Sequence, residues 1–131
     1  NSNLQTIEKN ASKETKIREI CIPSNVTKLC EYCLSHCDNL KKIGFQPNCN
    51  LQIIEQYAFR SSAFRSIFIP SSVSKIDAYA FYDCDRLQII EIAEESKLES
   101  FPFPSSFYII DQLIIMIPVS LEKLIQSGMR K

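Results

Sequence analysis

Slid along itself by 47 residues, the chain meets its own copy. Asn1-Ser-Asn-Leu-Gln-Thr-Ile-Glu falls on Asn48-Cys-Asn-Leu-Gln-Ile-Ile-Glu, and Ile22-Pro-Ser-Asn-Val-Thr-Lys-Leu on Ile69-Pro-Ser-Ser-Val-Ser-Lys-Ile. Leu40-Lys-Lys-Ile falls on Leu87-Gln-Ile-Ile, and the offset holds without a gap from Asn1 with Asn48 to Leu51 with Leu98. A fixed period of this size restricts the fold more than any other feature. Each unit is one supersecondary element that cannot bury its apolar side alone, so neighbouring units must stack.

Each block divides into units 17–39, 40–63, 64–86 and 87–111, with partial units at 1–16 and from 112. Position one is Ile17, Leu40, Phe64 and Leu87; position four is Ile20, Ile43, Ile67, Ile90 and Ile115; position six is Ile22, Phe45, Ile69, Ile92 and Ile117. Later in the unit come Val26 and Val73, then Leu29, Ile54 and Ile76, then Ala58-Phe59 and Ala80-Phe81. Positions four and six are two apart, so in a strand they share a face. Stacking gives each apolar side chain a copy of itself above and below. The strands then run parallel, one per turn, and five of them make a sheet about 20 Å wide at roughly 4.8 Å spacing.

The pattern Leu-x-x-Ile-x-Ile-Pro-x-x-Val-x-x-Ile-x-x-x-Ala-Phe-x-x-Cys resembles the BspA-type, or Treponema pallidum-type, leucine-rich repeat. Ile67-Phe-Ile-Pro-Ser-Ser-Val-Ser-Lys-Ile-Asp-Ala-Tyr-Ala-Phe-Tyr-Asp-Cys carries nearly all of it. The resemblance covers residues 1–125. It implies a solenoid of the α/β repeat class, with a parallel sheet of about five short strands on the concave side. Turns and short helical segments are expected on the convex side. It also implies a non-enzymatic protein-binding module at the cell surface, engaged in adhesion or in recognition of a host or matrix protein. The Asn-, Ser- and Ile-rich, glycine-poor composition is more similar to protist members of the family, such as those of trichomonads, than to bacterial ones. Two units depart from the pattern. Cys33-Leu34 stands where Ala-Phe is expected, and unit 87–111 reads Phe101-Pro-Phe-Pro-Ser-Ser-Phe, whose prolines forbid a regular helix.

Residues 1–16 match the second half of a unit, which predicts an open N-terminal edge through which the chain pairs with another copy. A terminal partial unit with a capping helix is expected over 112–128, followed by a tail at 129–131. Leu121, Leu124 and Ile125 fall on one helical face there, and Gly128 suits the C-cap.

Fifteen basic and fifteen acidic side chains cancel, so no global field draws the chain to nucleic acid or to an anionic membrane. No apolar run approaches the roughly 20 residues of a membrane span, and insertion of this segment is not expected. His36 is the only histidine, and neither a Gly-rich phosphate loop nor a nucleophile elbow is present. No catalytic residue and no cofactor is expected. Asn10-Ala-Ser and Asn25-Val-Thr match the N-glycosylation pattern, at the frequency chance gives in an Asn/Ser-rich chain.

Cys30, Cys33, His36 and Cys37 place four soft ligands within eight residues, a set whose types fit zinc. The repeat frame favours packing instead. Cys37 falls on Cys84, and Cys33 replaces the small Ala80, a position where a buried cysteine acts as a modest hydrophobe. Nothing selects a disulfide partner for any of the six cysteines. Free thiols favour a reducing compartment, which keeps an intracellular scaffold as one alternative to a surface protein. A self-assembling structural module, its repeats stacked end to end, is the other.

With positions four and six inward, positions three and five face out along the sheet. Position three reads Glu19, Lys42, Ser66, Ile89 and Ile114; position five reads Cys21, Gly44, Phe68, Glu91 and Met116. Phe68, Ile89, Ile114 and Met116 form an apolar stripe rimmed by Arg18, Glu19, Lys42, Arg65 and Glu91, the composition of a protein-binding surface.

Overall fold

A computed structural model describes residues 6–7, 16–99 and 114–116. Among the described residues nine short strands follow one another: β1 (Thr6–Ile7), β2 (Glu19–Ile22), β3 (Lys28–Leu29), β4 (Lys42–Phe45), β5 (Ile53–Ile54), β6 (Ser66–Ile69), β7 (Lys75–Ile76), β8 (Ile89–Ile92) and β9 (Ile114–Met116). Every pairing is parallel, and the chain winds as a solenoid with two strand-bearing walls. On the concave wall β2 pairs with β4, and β6 with β8 and β9. The second wall stacks β1, β3, β5 and β7 in order.

The register is that of the repeat. Ile20 lies against Ile43, Ile67 against Ile90, and Ile90 against Ile115. Position six adds Ile22 beside Phe45 and Ile69 beside Ile92. Ile22, Ile43, Ile67, Ile69, Ile90 and Ile92 are buried, while Ile20, Phe45 and Ile115 pack against the core from its margin. From the opposite wall come Leu29, Ile54 and Ile76, and from the bends Val26, Leu51 and Val73. Apolar columns running the length of the stack thus make one core, as the alternation of inward positions requires.

The convex segments differ from expectation. The short helices expected there are absent among the described residues, and turns stand in their place. The cause is a left-handed residue at each end of the segment: Tyr32 and His36, Tyr57 and Ser61, Tyr79 and Asp83 all have φ between 57° and 65°. No α-helix continues through such a residue. The backbone donors are satisfied sideways instead. Leu34 N donates to Ala58 O, His36 N to Arg60 O, Phe59 N to Ala80 O and Ser61 N to Tyr82 O, each into the following turn. These bonds align Cys33-Leu34 with Ala58-Phe59 and Ala80-Phe81, all buried.

The second wall was not anticipated from the sequence. Its strands are two residues long, and Val26-x-x-Leu29 has the spacing of a helix rather than the alternation of a strand. The capping helix expected over 112–128, the Phe101-Pro-Phe-Pro segment, the Asn10 sequon and the partial unit 1–16 lie outside the described residues, apart from the backbone of β1, the strand β9 and Lys16.

Among the described residues the concave wall is not continuous: no ladder joins β4 to β6. One rung is removed by composition. Gln46 N donates to Ile22 O and Ala93 N to Ile69 O, one turn back. The equivalent residue between them is Pro70, which has no N–H to give to β4.

Candidate binding face

The register gathers the outward residues of the concave wall into two columns. Glu19 lies beside Lys42, Phe68 beside Glu91, Glu91 beside Met116, and Ile89 beside Ile114. Phe68, Ile114 and Met116 are 45%, 57% and 51% exposed, large apolar side chains open to solvent. Ile89 is half-buried, and Glu19, Lys42 and Glu91 are exposed. The apolar members concentrate on β6, β8 and β9. Glu19 and Lys42 belong to the paired strands β2 and β4, on the far side of the gap.

That gap carries a depression the sequence did not disclose. Gly44 leaves its outward position empty, and a Cβ built there meets nothing within 4 Å. Beside it a cleft of about 470 Å³ opens between β4 and β6, lined among others by Phe45, Pro47, Asn48, Phe68 and Pro70. A neighbouring hollow of about 420 Å³ shares Gly44 and is lined by Glu19, Ile20, Cys21 and Lys42. The connection from β4 to β5, residues 46–52, is two residues longer than 23–27 and 70–74 at the equivalent places, and its Asn48 takes φ 60°. The extra length builds the wall of the cleft.

Two of the four members of the cysteine set lie in the core. Cys33 and Cys37 are fully buried, whereas Cys30 and His36 are half-buried. Burial pushes the Cys33 thiol far above its ordinary range, with the neighbouring Cys30 and Cys37 adding to the effect. Among the described residues no group of three or more His, Cys, Asp or Glu side chains is placed to hold a metal ion. Cys84 is likewise buried, its thiol raised from 9.0 to about 12 by desolvation, and its Sγ donates to Phe59 O at 3.0 Å. On the turns beside it, Asp83 accepts from Ser61 Oγ at 2.9 Å. The carboxyl of Asp85 is raised by desolvation and then by the charge of Asp83.

A second feature was missed because its members lie some two dozen residues apart. Tyr32, Tyr57 and Tyr79 stack with ring centroids 5.2 and 5.6 Å apart and planes within 9° of parallel. Tyr82 closes on Tyr57 and Tyr79 edge-on, and the Arg60 guanidinium sits 5.6 and 5.5 Å from the rings of Tyr57 and Tyr82. The rings cover one another's faces, so this ladder works as a spine of the convex turns.

The sequence profile of the BspA type leucine rich repeat region matches residues 5–124 in six copies. The chain belongs to the BspA-type leucine-rich repeat family. Solved structures agree with the fold. The pneumococcal vaccine antigen PcpA superposes with a TM-score of 0.68 at 24% identity, over 70% of this chain and 23% of that one. A leucine rich cell surface protein of Faecalibacterium prausnitzii A2-165 gives a TM-score of 0.55 at 29% identity, over 66% of this chain and 21% of that one. This BspA-type chain therefore spans less than a quarter of either protein. No curated protein matches it. Among its described residues no helix is long and apolar enough to cross a membrane.

Proposed function

We propose that this BspA-type segment is a non-enzymatic protein-binding module that meets its partner with the concave wall, as part of a surface-exposed protein engaged in adhesion or in recognition of a host or matrix protein. The observation that carries the reading is the exposure of Phe68, Ile114 and Met116 beside half-buried Ile89 on adjoining strands. Apolar side chains set side by side on a rigid sheet lose water together when a partner closes over them, and aromatic residues at the centre of such a patch anchor the contact. A leucine rich cell surface protein among the structural neighbours supports the location.

An intracellular scaffold using the same wall is the second reading, favoured by six cysteines none of which forms a disulfide. Localising the full-length protein separates the two. The concave wall itself is tested with the double substitution Phe68→Glu and Met116→Glu, assayed against immobilised matrix proteins and cell extracts. Loss of at least about tenfold in binding, with an unchanged melting temperature, is expected. Retained binding sinks the concave-face reading.

A further inference from the structure

Three local features meet at one place on the concave wall. Gly44 leaves a vacant side-chain position, Pro70 withholds a rung from β4, and the connection 46–52 carries two extra residues. The result is a cleft of about 470 Å³ with Phe68 as its aromatic wall. That volume falls within the roughly 300–1,000 Å³ of clefts that take small ligands. It admits one large side chain with its flanking backbone and excludes a folded domain. Along the facing edges of β4 and β6, backbone donors and acceptors are not engaged in a ladder.

Charge narrows the occupant. Arg18, Lys41, Lys42 and Arg65 are all exposed at the heads of β2, β4 and β6. Lys41 N and Lys42 N both donate to Arg18 O, which fixes these residues on adjacent turns. The described ion pairs, Lys28 with Glu55 and Lys75 with Asp77, lie on the other wall. Glu19 beside Lys42 and Glu91 beside Phe68 are the carboxylates close by, so the ledge keeps a positive excess. Like charges on neighbouring strands repel and lower stability unless something of opposite sign covers them. Lys42 and Gly44 stand two strand positions apart on one face, about 7 Å.

Resting on the concave-face reading above, we propose that the β4–β6 cleft is a slot for an extended acidic peptide segment of the partner protein. One aromatic side chain of that segment sits over Gly44 against Phe68. Carboxylates two or three residues away rest on the ledge of Arg18, Lys41, Lys42 and Arg65.

The probes are short fluorescent peptides: an acidic one with a central phenylalanine, the same with alanine at the centre, and the same with lysines for its acids. Anisotropy titrations of the chain should show the acidic phenylalanine peptide binding at least about tenfold more tightly than either control. Raising salt to about 0.5 M should weaken it. Gly44→Leu, which fills open space, should cost at least about tenfold in affinity while moving the melting temperature by no more than about 3 °C. Lys42→Glu with Arg65→Glu should remove the salt dependence. Equal binding of either control peptide, or indifference to Gly44→Leu, overturns the slot. Silent peptides together with a concentration-dependent dimer that Gly44→Leu abolishes would assign the cleft to a second copy of this chain and also overturn it. If the peptides are silent and Phe68→Glu with Met116→Glu still abolishes capture by matrix proteins, the slot fails alone. If that double substitution is also without effect, the concave-face reading fails with it.

Discussion

At the scale of single residues, the repeat decides chemistry before the side chain does. Cys37, Ser62 and Cys84 are equivalent by the cross-turn bonds that flank them, and all three are buried. Ser62 Oγ donates to Leu34 O at 2.6 Å, and Cys84 Sγ to Phe59 O, each one turn back. The position asks for a small donor, and sulfur or oxygen serves. Cys84→Ser is therefore expected to cost only about 1 kcal/mol. It should also change the alkaline limb of stability. A thiol held at about 12 in the fold and 9.0 in the open chain stabilises fully below pH 9, and that contribution drains away as pH rises toward 12. The slope is at most about 1.4 kcal/mol per pH unit for each such thiol. Urea midpoints at pH 8 and pH 10 should fall less far apart in Cys84→Ser than in the parent; an equal drop would mean that Cys84 ionises freely. The same frame accounts for two members of the zinc-like set. In sequence Cys33 and Cys37 look like ligands, but the frame places them where alanine and serine stand in the next turn.

At the scale of elements, legibility followed the range of the interactions. The inward columns on the concave wall were readable because alternation within four residues is a local signal, and Ile43, Ile67 and Ile90 sit where it placed them. The convex turns were misread as helical because their backbone partners lie in the following turn, beyond any local window. The cleft escaped notice because one of its walls is an absence, the missing side chain of Gly44. Its other cause hides in the period: the extra residues of 46–52 recur after β8, so a 47-residue offset aligns them away. The tyrosines show what such long-range register can stabilise. Tyr57 is held at φ 61°, a conformation that costs of order 1–3 kcal/mol for a bulky residue. It stacks on two neighbours, meets a third edge-on and lies under a guanidinium. Aromatic pairs contribute about 0.5–1.5 kcal/mol each. Tyr57→Asn, which suits the left-handed backbone but makes none of these contacts, should therefore lose about 1–2 kcal/mol in urea unfolding. A gain in stability would show that backbone strain outweighs the stack.

At the scale of the whole molecule, cohesion comes from each turn gripping the next, and the two walls do not share that work equally. The second wall is paired without a break from β1 to β7, while the concave wall parts between β4 and β6. Amide exchange should expose the seam. Ser66 and Phe68 are expected to exchange faster than Ile89 and Glu91, which hold the same places in β8, the strand laddered onto β6. Uniform protection across the four would mean that the wall is closed in solution. The tyrosine ladder offers an independent view of the same cohesion. The chain contains no tryptophan, and four of its five tyrosines lie in this cluster. Rings this close pass excitation among themselves before they emit. Polarised ultraviolet emission from the unlabelled chain should thus be scrambled while the coil is wound and recover its polarisation as neighbouring turns come apart, an optical gauge written into the coil itself.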